Sequence, residues 1–102
     1  MMSVLSAIGW FLSGVLLINV LPHLIRGVSG DKFPSPFSKP HGKKLSSPTL
    51  NVIWAFVNLS LLLTIFHFNR SSFTSIYGVI MLVGAFAMSI FLSKYFNNKD
   101  KE

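Results

Sequence analysis

The chain has 102 residues, of which 51% are hydrophobic and only 12% are charged, and its mean hydropathy is +0.59. Soluble domains usually carry about 25% charged residues, so this composition leaves too little polar surface to cover a globule in water. The length predicts a single domain. The formal net charge is +6, but the positive residues stand at the ends of apolar blocks, which favours anionic lipid over nucleic acid as their partner. Because there is no cysteine, disulfides, iron–sulfur clusters and cysteine nucleophiles are excluded.

The first apolar block, residues 4–25, predicts a membrane-spanning helix, because about 20 helical residues cross the hydrocarbon core of a bilayer. A cleaved signal peptide is the alternative, but no Lys or Arg precedes the block and its apolar run is longer than a signal core. Pro22 removes a backbone donor, so we expect a kink or an early end of the helix there. Gly27 and Gly30 are expected to terminate it.

Residues 27–46 are predicted to form a long, proline-rich loop. The run F-P-S-P-F at residues 33–37, followed by Lys39-Pro40, is incompatible with a helix and favours an extended course close to polyproline II. We expect its two phenylalanines to enter the membrane interface or the gap between helices. Loops of this length in a small protein tend to be functional or folded against another part of the chain.

The second span is predicted at residues 48–68. Ser47 suits the N-cap position, and Pro48 suits the first position of a helix, where its missing N–H is not needed.

A tight turn at residues 69–72, with Ser71 or Ser72 as the cap, is expected to lead into the third span at residues 73–96. Residues 97–102 are expected to form a solvated tail. The predicted fold class is therefore an all-α membrane protein with three transmembrane helices in one membrane domain.

The distribution of positive charge predicts the orientation of these spans. The long loop region carries five cationic residues and the C-terminal region carries three, whereas the turn between the second and third spans carries Arg70 alone. Because Lys and Arg in short loops favour the cytoplasmic side, we expect the N-terminus outside, with the long loop and the C-terminus in the cytoplasm. The five are Arg26, Lys32, Lys39, Lys43 and Lys44; the three are Lys94, Lys99 and Lys101.

Polar residues within the first two spans fall on one face of each helix. They are Asn19, His23 and Arg26 in the first span, and Asn51, Trp54 and Asn58 in the second. Spacings of three, four and seven residues place side chains on a common helical face. At a rise of about 1.5 Å per residue, antiparallel packing is expected to place Asn19 near Asn58, and His23 near Asn51 and Trp54. The sequence thus predicts a polar seam that opens toward the cytoplasm beneath the loop.

The seam has two interpretations. Asparagines between membrane helices often serve only as interhelical hydrogen bonds, worth about 0.6 kcal/mol on average, and the loop would then be a lid over the helix ends. Alternatively, the seam is a pocket for an anionic lipid headgroup or a small anion, with nearby cations supplying charge. The candidate ligand-binding residues are Asn19, His23, Arg26, Asn51, Trp54, Asn58, Lys39 and Lys43.

The sequence offers no catalytic constellation. Its acidic residues form no carboxylate pair, and neither a nucleophile elbow nor a complete P-loop is present. His23 and His41 could approach each other, but Asp31 is the only carboxylate nearby, so neither a metal site nor a cofactor is predicted. We expect a non-enzymatic protein.

Small residues four apart in the first and third spans predict close approach of helices. Three helices alone make a thin bundle, so we expect a homo-oligomer or a subunit of a larger membrane complex. Aromatic residues near the span ends are expected in interfacial belts. The small residues are Gly9 and Ser13, and Ala85 and Ser89, with Gly78 and Gly84 nearby; the aromatic residues are Trp10, Trp54, Tyr77 and Tyr95.

Residues 19–58 carry the patterns N-x-x-P-H, G-x-x-G, F-P-S-P-F, K-P, G-K-x-L-S-S-P and N-V-x-W. In these patterns the chain resembles an uncharacterised family of small bacterial integral membrane proteins. The resemblance implies a bacterial cytoplasmic membrane and adds no activity. The matching positions are Asn19, Pro22, His23, Gly27, Gly30, Phe33 to Phe37, Lys39, Pro40, Gly42, Lys43, Leu45 to Pro48, Asn51, Val52 and Trp54.

The leading functional hypothesis is a membrane protein whose cytoplasmic pocket binds an anionic lipid or small anion, or whose loop docks on a partner protein. A holin-like pore-former is one alternative, because three spans with this orientation and a charged tail resemble one class of phage holins. A small transporter or transport subunit acting as an oligomer is another, because polar residues at depth can serve a substrate. No nucleic-acid partner is expected.

Overall fold

The computed structural model describes residues 3–70 and 73–101, which contain three α-helices. They are α1 (Val4–Val28), α2 (Pro48–Asn69) and α3 (Ser75–Tyr95). Each helix is long and apolar enough to cross a membrane. The prediction of an all-helical chain with three candidate spans is confirmed, and this architecture is compatible with a small multi-pass membrane protein.

α1 passes through Pro22 and continues to Val28, so of the kink or early end expected there, the early end does not occur. A proline inside a helix costs one backbone hydrogen bond and introduces a local clash. Val20 and His23, on either side of this position, are both buried.

A glycine-based motif ends α1. The N–H of Asp31 donates to the carbonyl of Arg26 (2.9 Å), and the N–H of Gly30 donates to the carbonyl of Gly27 (3.1 Å). Gly30 has a φ of 77°, which completes a Schellman motif. Gly27, predicted to be a terminator, lies inside the helix, where an added Cβ would come within 2.8 Å of the carbonyl oxygen of Pro48.

The starts of α2 and α3 differ in how they are capped. Ser47 Oγ accepts a hydrogen bond from the N–H of Leu50 (3.1 Å), which confirms the predicted N-cap. α3 begins after Thr74, whose side chain makes no capping hydrogen bond. Ser71 and Ser72, the caps predicted for α3, lie outside the described residues.

α1 is the central helix. It packs along both α2 and α3, whereas α2 and α3 hardly approach each other. The backbones of α1 and α3 touch, because an added Cβ at Gly14 would collide with the carbonyl of Met81, and one at Gly84 with the carbonyl of Phe11. Of these two glycines, Gly84 was among the small residues predicted to allow close approach and Gly14 was not, whereas the predicted Ser89 is exposed.

Two of the predicted interfacial aromatic residues lie inside the bundle instead. Trp10 is 1% exposed and makes edge-to-face contacts with Phe66 and Phe73, at centroid distances of 5.2 and 5.0 Å. Tyr77 is buried, and its hydroxyl accepts a hydrogen bond from the N–H of Ser3 (2.9 Å). These two residues therefore face other parts of the chain rather than the outer surface of the bundle.

The helices place polar side chains inside and apolar side chains outside. His23, Asn51 and Asn58 are buried, whereas large apolar residues such as Leu5, Leu82 and Phe86 are exposed. In water this arrangement would leave a large apolar surface exposed. In a bilayer it satisfies each polar group internally, as membrane helices require.

Residues 29–47, which we call the α1–α2 loop, fold compactly over one end of the bundle. Phe33 and Ser46 exchange backbone hydrogen bonds of 3.2 and 3.0 Å, and the N–H of Ser38 donates to the carbonyl of Ser35 (3.2 Å). The run at residues 33–37 is not helical, as predicted, and Phe33 pairs in an extended conformation, but the chain turns at residues 36–37 instead of continuing extended. The side chains of the loop explain the difference: Phe33 and Ser35 are buried, so the segment is held by its contacts with the helices and with itself.

The C-terminal residues dock on the same end, which we call the loop end. The N–H of Asp100 donates to the carbonyl of Lys43 (2.8 Å), and Lys43 Nζ lies 3.4 Å from Asp100 Oδ1. The predicted solvated tail is therefore attached to the loop. Arg70 and the N-terminus of α1 lie at the opposite end of the bundle, the far end.

Candidate ligand-binding site beneath the loop

His23 and Asn51 form the buried centre of the polar seam. They are 2% and 0% exposed, and His23 Nδ1 lies 2.7 Å from Asn51 Oδ1. Asn51 Nδ2 donates to the carbonyl of Phe33 (2.7 Å) in the loop and to that of Ser47 (3.0 Å) at the start of α2. One side-chain amide thus joins α1, α2 and the loop. The predicted proximity of His23 and Asn51 is confirmed.

A second pair lies deeper along the same helices. Asn19 Nδ2 donates to Asn58 Oδ1 (3.0 Å), and Asn58 Nδ2 donates to the carbonyl of Trp54 (2.9 Å). This pairing of Asn19 with Asn58 was also predicted from depth. The Trp54 ring packs edge-to-face against Phe37 of the loop, at a centroid distance of 5.5 Å.

A cavity of about 260 Å³ lies beside these pairs, in the space between α2 and α3. The polar face of α1 forms its floor, the loop covers it and aromatic side chains form most of its walls. It is lined by Asn19 and His23 of α1, Trp54 of α2, Phe91 and Tyr95 of α3, and loop residues 34–36 and 41–42, among others. The seam predicted from the sequence is therefore adjacent to a real cavity beneath the loop.

The cationic residues predicted in the site lie outside this cavity. Arg26 Nη1 is 3.9 Å from Asp31 Oδ2, Lys43 pairs with Asp100, and Lys39 is exposed on the loop. No Lys or Arg within residues 3–70 and 73–101 lines the cavity. Lys39 and Lys43 nevertheless belong to the loop segment that covers the cavity, so their charge lies around it rather than within it.

α3 supplies a wall of the cavity that was not predicted from the sequence. The Phe96 ring lies 4.6 Å from that of Phe33 and 6.3 Å from that of His23, measured between centroids. Gly42 sits against Tyr95, and an added Cβ there would come within 2.9 Å of the Tyr95 ring. Because no polar residue marks this face of α3, the spacing of polar residues gave no signal for it.

The chemistry of the cavity is apolar, with hydrogen-bonding groups concentrated on its floor. His23 and His41 both line it, but no group of three metal-ligating side chains comes together anywhere among the described residues. The walls suit an apolar or weakly polar group, and the floor suits one that can hydrogen-bond to amide and imidazole.

Searches against protein-family models, curated proteins and solved structures gave no significant match for this chain. Its function is therefore inferred from the chemistry of the site.

Proposed function

We propose that this is a non-enzymatic membrane protein that binds an anionic lipid at its loop end, which faces the cytoplasm. The observation that carries the proposal is the cavity of about 260 Å³, which has apolar walls, a polar floor and a cover formed by a basic loop. Interhelical hydrogen bonding alone would explain the polar seam, but it would not explain the cavity beside the seam.

The charge around the cavity favours a lipid with a negative headgroup. Eight of the nine Lys and Arg residues belong to the loop region and the C-terminal region, and Lys43 and Asp100 hold these two regions together. Each cation near a membrane surface contributes about 1 kcal/mol of attraction to anionic lipid. A phosphate at the rim would meet this charge without entering the apolar cavity.

A small free anion fits the site less well than a lipid does. Transferring a charged group into apolar surroundings is costly unless it is paired, and no described cation lines the cavity. A lipid instead leaves its phosphate at the rim, inserts only its headgroup beneath the loop and keeps its acyl chains along the exposed apolar faces of α2 and α3.

Thermal unfolding of the purified protein in detergent tests this proposal. Phosphatidylglycerol is expected to raise the unfolding temperature more than phosphatidylcholine with the same acyl chains. Lys39→Gln removes an exposed loop cation and is expected to reduce this difference. Arg70→Gln removes the exposed cation at the far end and is expected to leave it unchanged.

Equal stabilisation by the two lipids would exclude anionic-lipid binding. A preference for phosphatidylglycerol that survives Lys39→Gln but is lost with Arg70→Gln would place the lipid at the far end and overturn the site proposed here.

A further inference from the structure

The carbonyl groups around Asn51 fix the direction of its hydrogen bonds. The carbonyl oxygens of Phe33 and Ser47 can only accept, so the group that faces them must be Nδ2 of Asn51. Oδ1 of Asn51 therefore faces His23, and the atom of His23 that meets it must carry a proton. That atom is Nδ1.

The second ring nitrogen of His23 is left as an acceptor. In a neutral imidazole, one nitrogen donates a hydrogen bond and the other accepts one. With Nδ1 donating to Asn51, Nε2 carries the lone pair. In the described part of the chain, every fully buried side-chain nitrogen or oxygen has a hydrogen-bond partner. Nε2 of His23 makes no hydrogen bond there, so it is not fully buried. This nitrogen therefore keeps some exposure, and the cavity is a space that His23 lines, so we take Nε2 to face it.

The deeper pair, Asn19 and Asn58, also leaves one acceptor without a donor. The carbonyl of Trp54 fixes Nδ2 of Asn58 as a donor, so Oδ1 of Asn58 faces Asn19, and Asn19 meets it with Nδ2. Oδ1 of Asn19 is left as an acceptor, and Asn19 also lines the cavity. Asn19 and His23 are four residues apart on α1, which separates them by about 6 Å along the helix axis.

We infer that the floor of the cavity binds the hydroxyl groups of a polyol headgroup, with Nε2 of His23 and Oδ1 of Asn19 as the acceptors. This inference rests on the proposed binding of an anionic lipid and specifies which part of that lipid enters the cavity. Phosphate oxygens would face two acceptors and gain no hydrogen bond from them. Two neighbouring hydroxyl groups, as in a phosphoglycerol headgroup, supply one donor to each acceptor while the phosphate remains at the basic rim.

Native mass spectrometry with an equimolar mixture of three lipids of identical acyl chains tests the inference. Phosphatidylglycerol and phosphatidylmethanol carry the same charge, but only the first has hydroxyl groups; phosphatidylcholine is the zwitterionic reference. We expect phosphatidylglycerol to be retained at least about five-fold more than phosphatidylmethanol, since one hydrogen bond contributes about 1 kcal/mol.

The three lipids separate two kinds of failure. If phosphatidylglycerol and phosphatidylmethanol are retained equally, and both more than phosphatidylcholine, anionic-lipid binding holds and the polyol inference is wrong. If all three are retained equally, the proposed function fails as well.

His23→Asn is the variant that isolates the acceptor. The asparagine amide retains a donor near the position of Nδ1 and lacks any counterpart of Nε2. We expect the preference for phosphatidylglycerol over phosphatidylmethanol to fall about five-fold, while the preference for both over phosphatidylcholine persists. His67→Gln, at an exposed histidine of the far end, is the matched control and is expected to keep both preferences. An unchanged headgroup preference in His23→Asn would overturn the inference.

The tautomer of His23 can be measured in the unmodified protein, so the inference does not depend on the variant folding. Nitrogen-15 NMR of histidine-labelled protein is expected to show His23 protonated at Nδ1 and unprotonated at Nε2, with the Nε2 signal moving when phosphatidylglycerol is added. Protonation at Nε2 alone would contradict the inference.

Discussion

At Asn51 a single amide joins two helices and the loop, so its removal is expected to affect the whole loop end. Asn51→Ala leaves the N–H of His23 Nδ1 buried without a partner, and such an orphaned donor costs about 1–3 kcal/mol. Asn58→Ala removes one bond between helices, for which about 0.6 kcal/mol is typical. We therefore expect Asn51→Ala to lower the free energy of unfolding by at least about twice as much as Asn58→Ala.

Reversible unfolding in mixed micelles measures this difference. Ser60→Ala is the control, because Ser60 is exposed and bonds only within its own helix. Equal losses for Asn51→Ala and Ser60→Ala would show that the amide does not hold the loop end together.

Two glycines of the loop region have nearly the same backbone conformation and different surroundings. Gly30 and Gly42 have φ values of 77° and 76°, where a residue with a Cβ is disfavoured by about 1–2 kcal/mol. Nothing lies within 4 Å of an added Cβ at Gly30, whereas at Gly42 it would press on the Tyr95 ring. We expect Gly42→Ala to destabilise the protein more than Gly30→Ala, as measured by the free energy of unfolding. The reverse order would mean that the loop does not pack on α3.

At the residue scale, the sequence predicted the pairing of side chains better than it predicted their surroundings. Helical spacing and depth were enough to pair Asn19 with Asn58 and His23 with Asn51. They could not show that Asn51 also bonds the loop backbone at Phe33, because that bond depends on how the loop folds. The cationic residues were also predicted to lie in the site, but they lie outside the cavity. Sequence spacing does not determine the direction of a long, flexible side chain.

At the scale of elements, the contact between α1 and α3 depends on glycines that let their backbones touch. Gly14→Ala and Gly84→Ala would each force a methyl group against a neighbouring carbonyl, and overpacking of this kind costs about 1–3 kcal/mol or more. Gly78→Ala is the control, because an added Cβ there meets only the Phe73 ring at an ordinary distance of 3.6 Å. Since alanine favours helix over glycine, Gly78→Ala is expected to be neutral or stabilising by up to about 1 kcal/mol.

Thermal unfolding of the three glycine variants in one detergent compares them directly. If Gly14→Ala and Gly78→Ala unfold at the same temperature, the close approach of α1 and α3 is not what holds these helices together.

The elements themselves were predictable where local chemistry decides them. Length and apolar content located three helices, and the Ser47-Pro48 pair located the start of α2. The continuation of α1 beyond Pro22, the folding of the loop onto the helices and the docking of Asp100 on the loop were not predicted. Each depends on contacts between distant parts of the chain, such as Lys43 with Asp100, which a local pattern does not contain.

At the scale of the whole molecule, the packing of both outer helices on α1 creates the site. Because α2 and α3 hardly approach each other, space remains between them, and the loop and C-terminal residues close it at one end. This arrangement was not predictable from three apolar segments, whose lengths and compositions do not say which helix is central.

The proposed orientation can be tested with single cysteines, because the chain has none of its own. Lys44→Cys and Arg70→Cys place thiols at exposed positions on the loop end and the far end. A membrane-impermeant maleimide applied to intact cells is expected to label Arg70→Cys and to label Lys44→Cys only after the membrane is permeabilised. Labelling of Lys44→Cys in intact cells would reverse the proposed orientation.

Quenching of Trp54 fluorescence by brominated lipid tests most directly whether an anionic lipid occupies the cavity. Trp54 lines the cavity, and the other tryptophan, Trp10, is buried near the far end. In phosphatidylcholine bilayers, a small fraction of brominated phosphatidylglycerol is expected to quench Trp54 more strongly than the same fraction of brominated phosphatidylcholine. Trp54→Phe is expected to remove this difference. Equal quenching by the two brominated lipids would contradict the proposal that an anionic lipid binds beneath the loop.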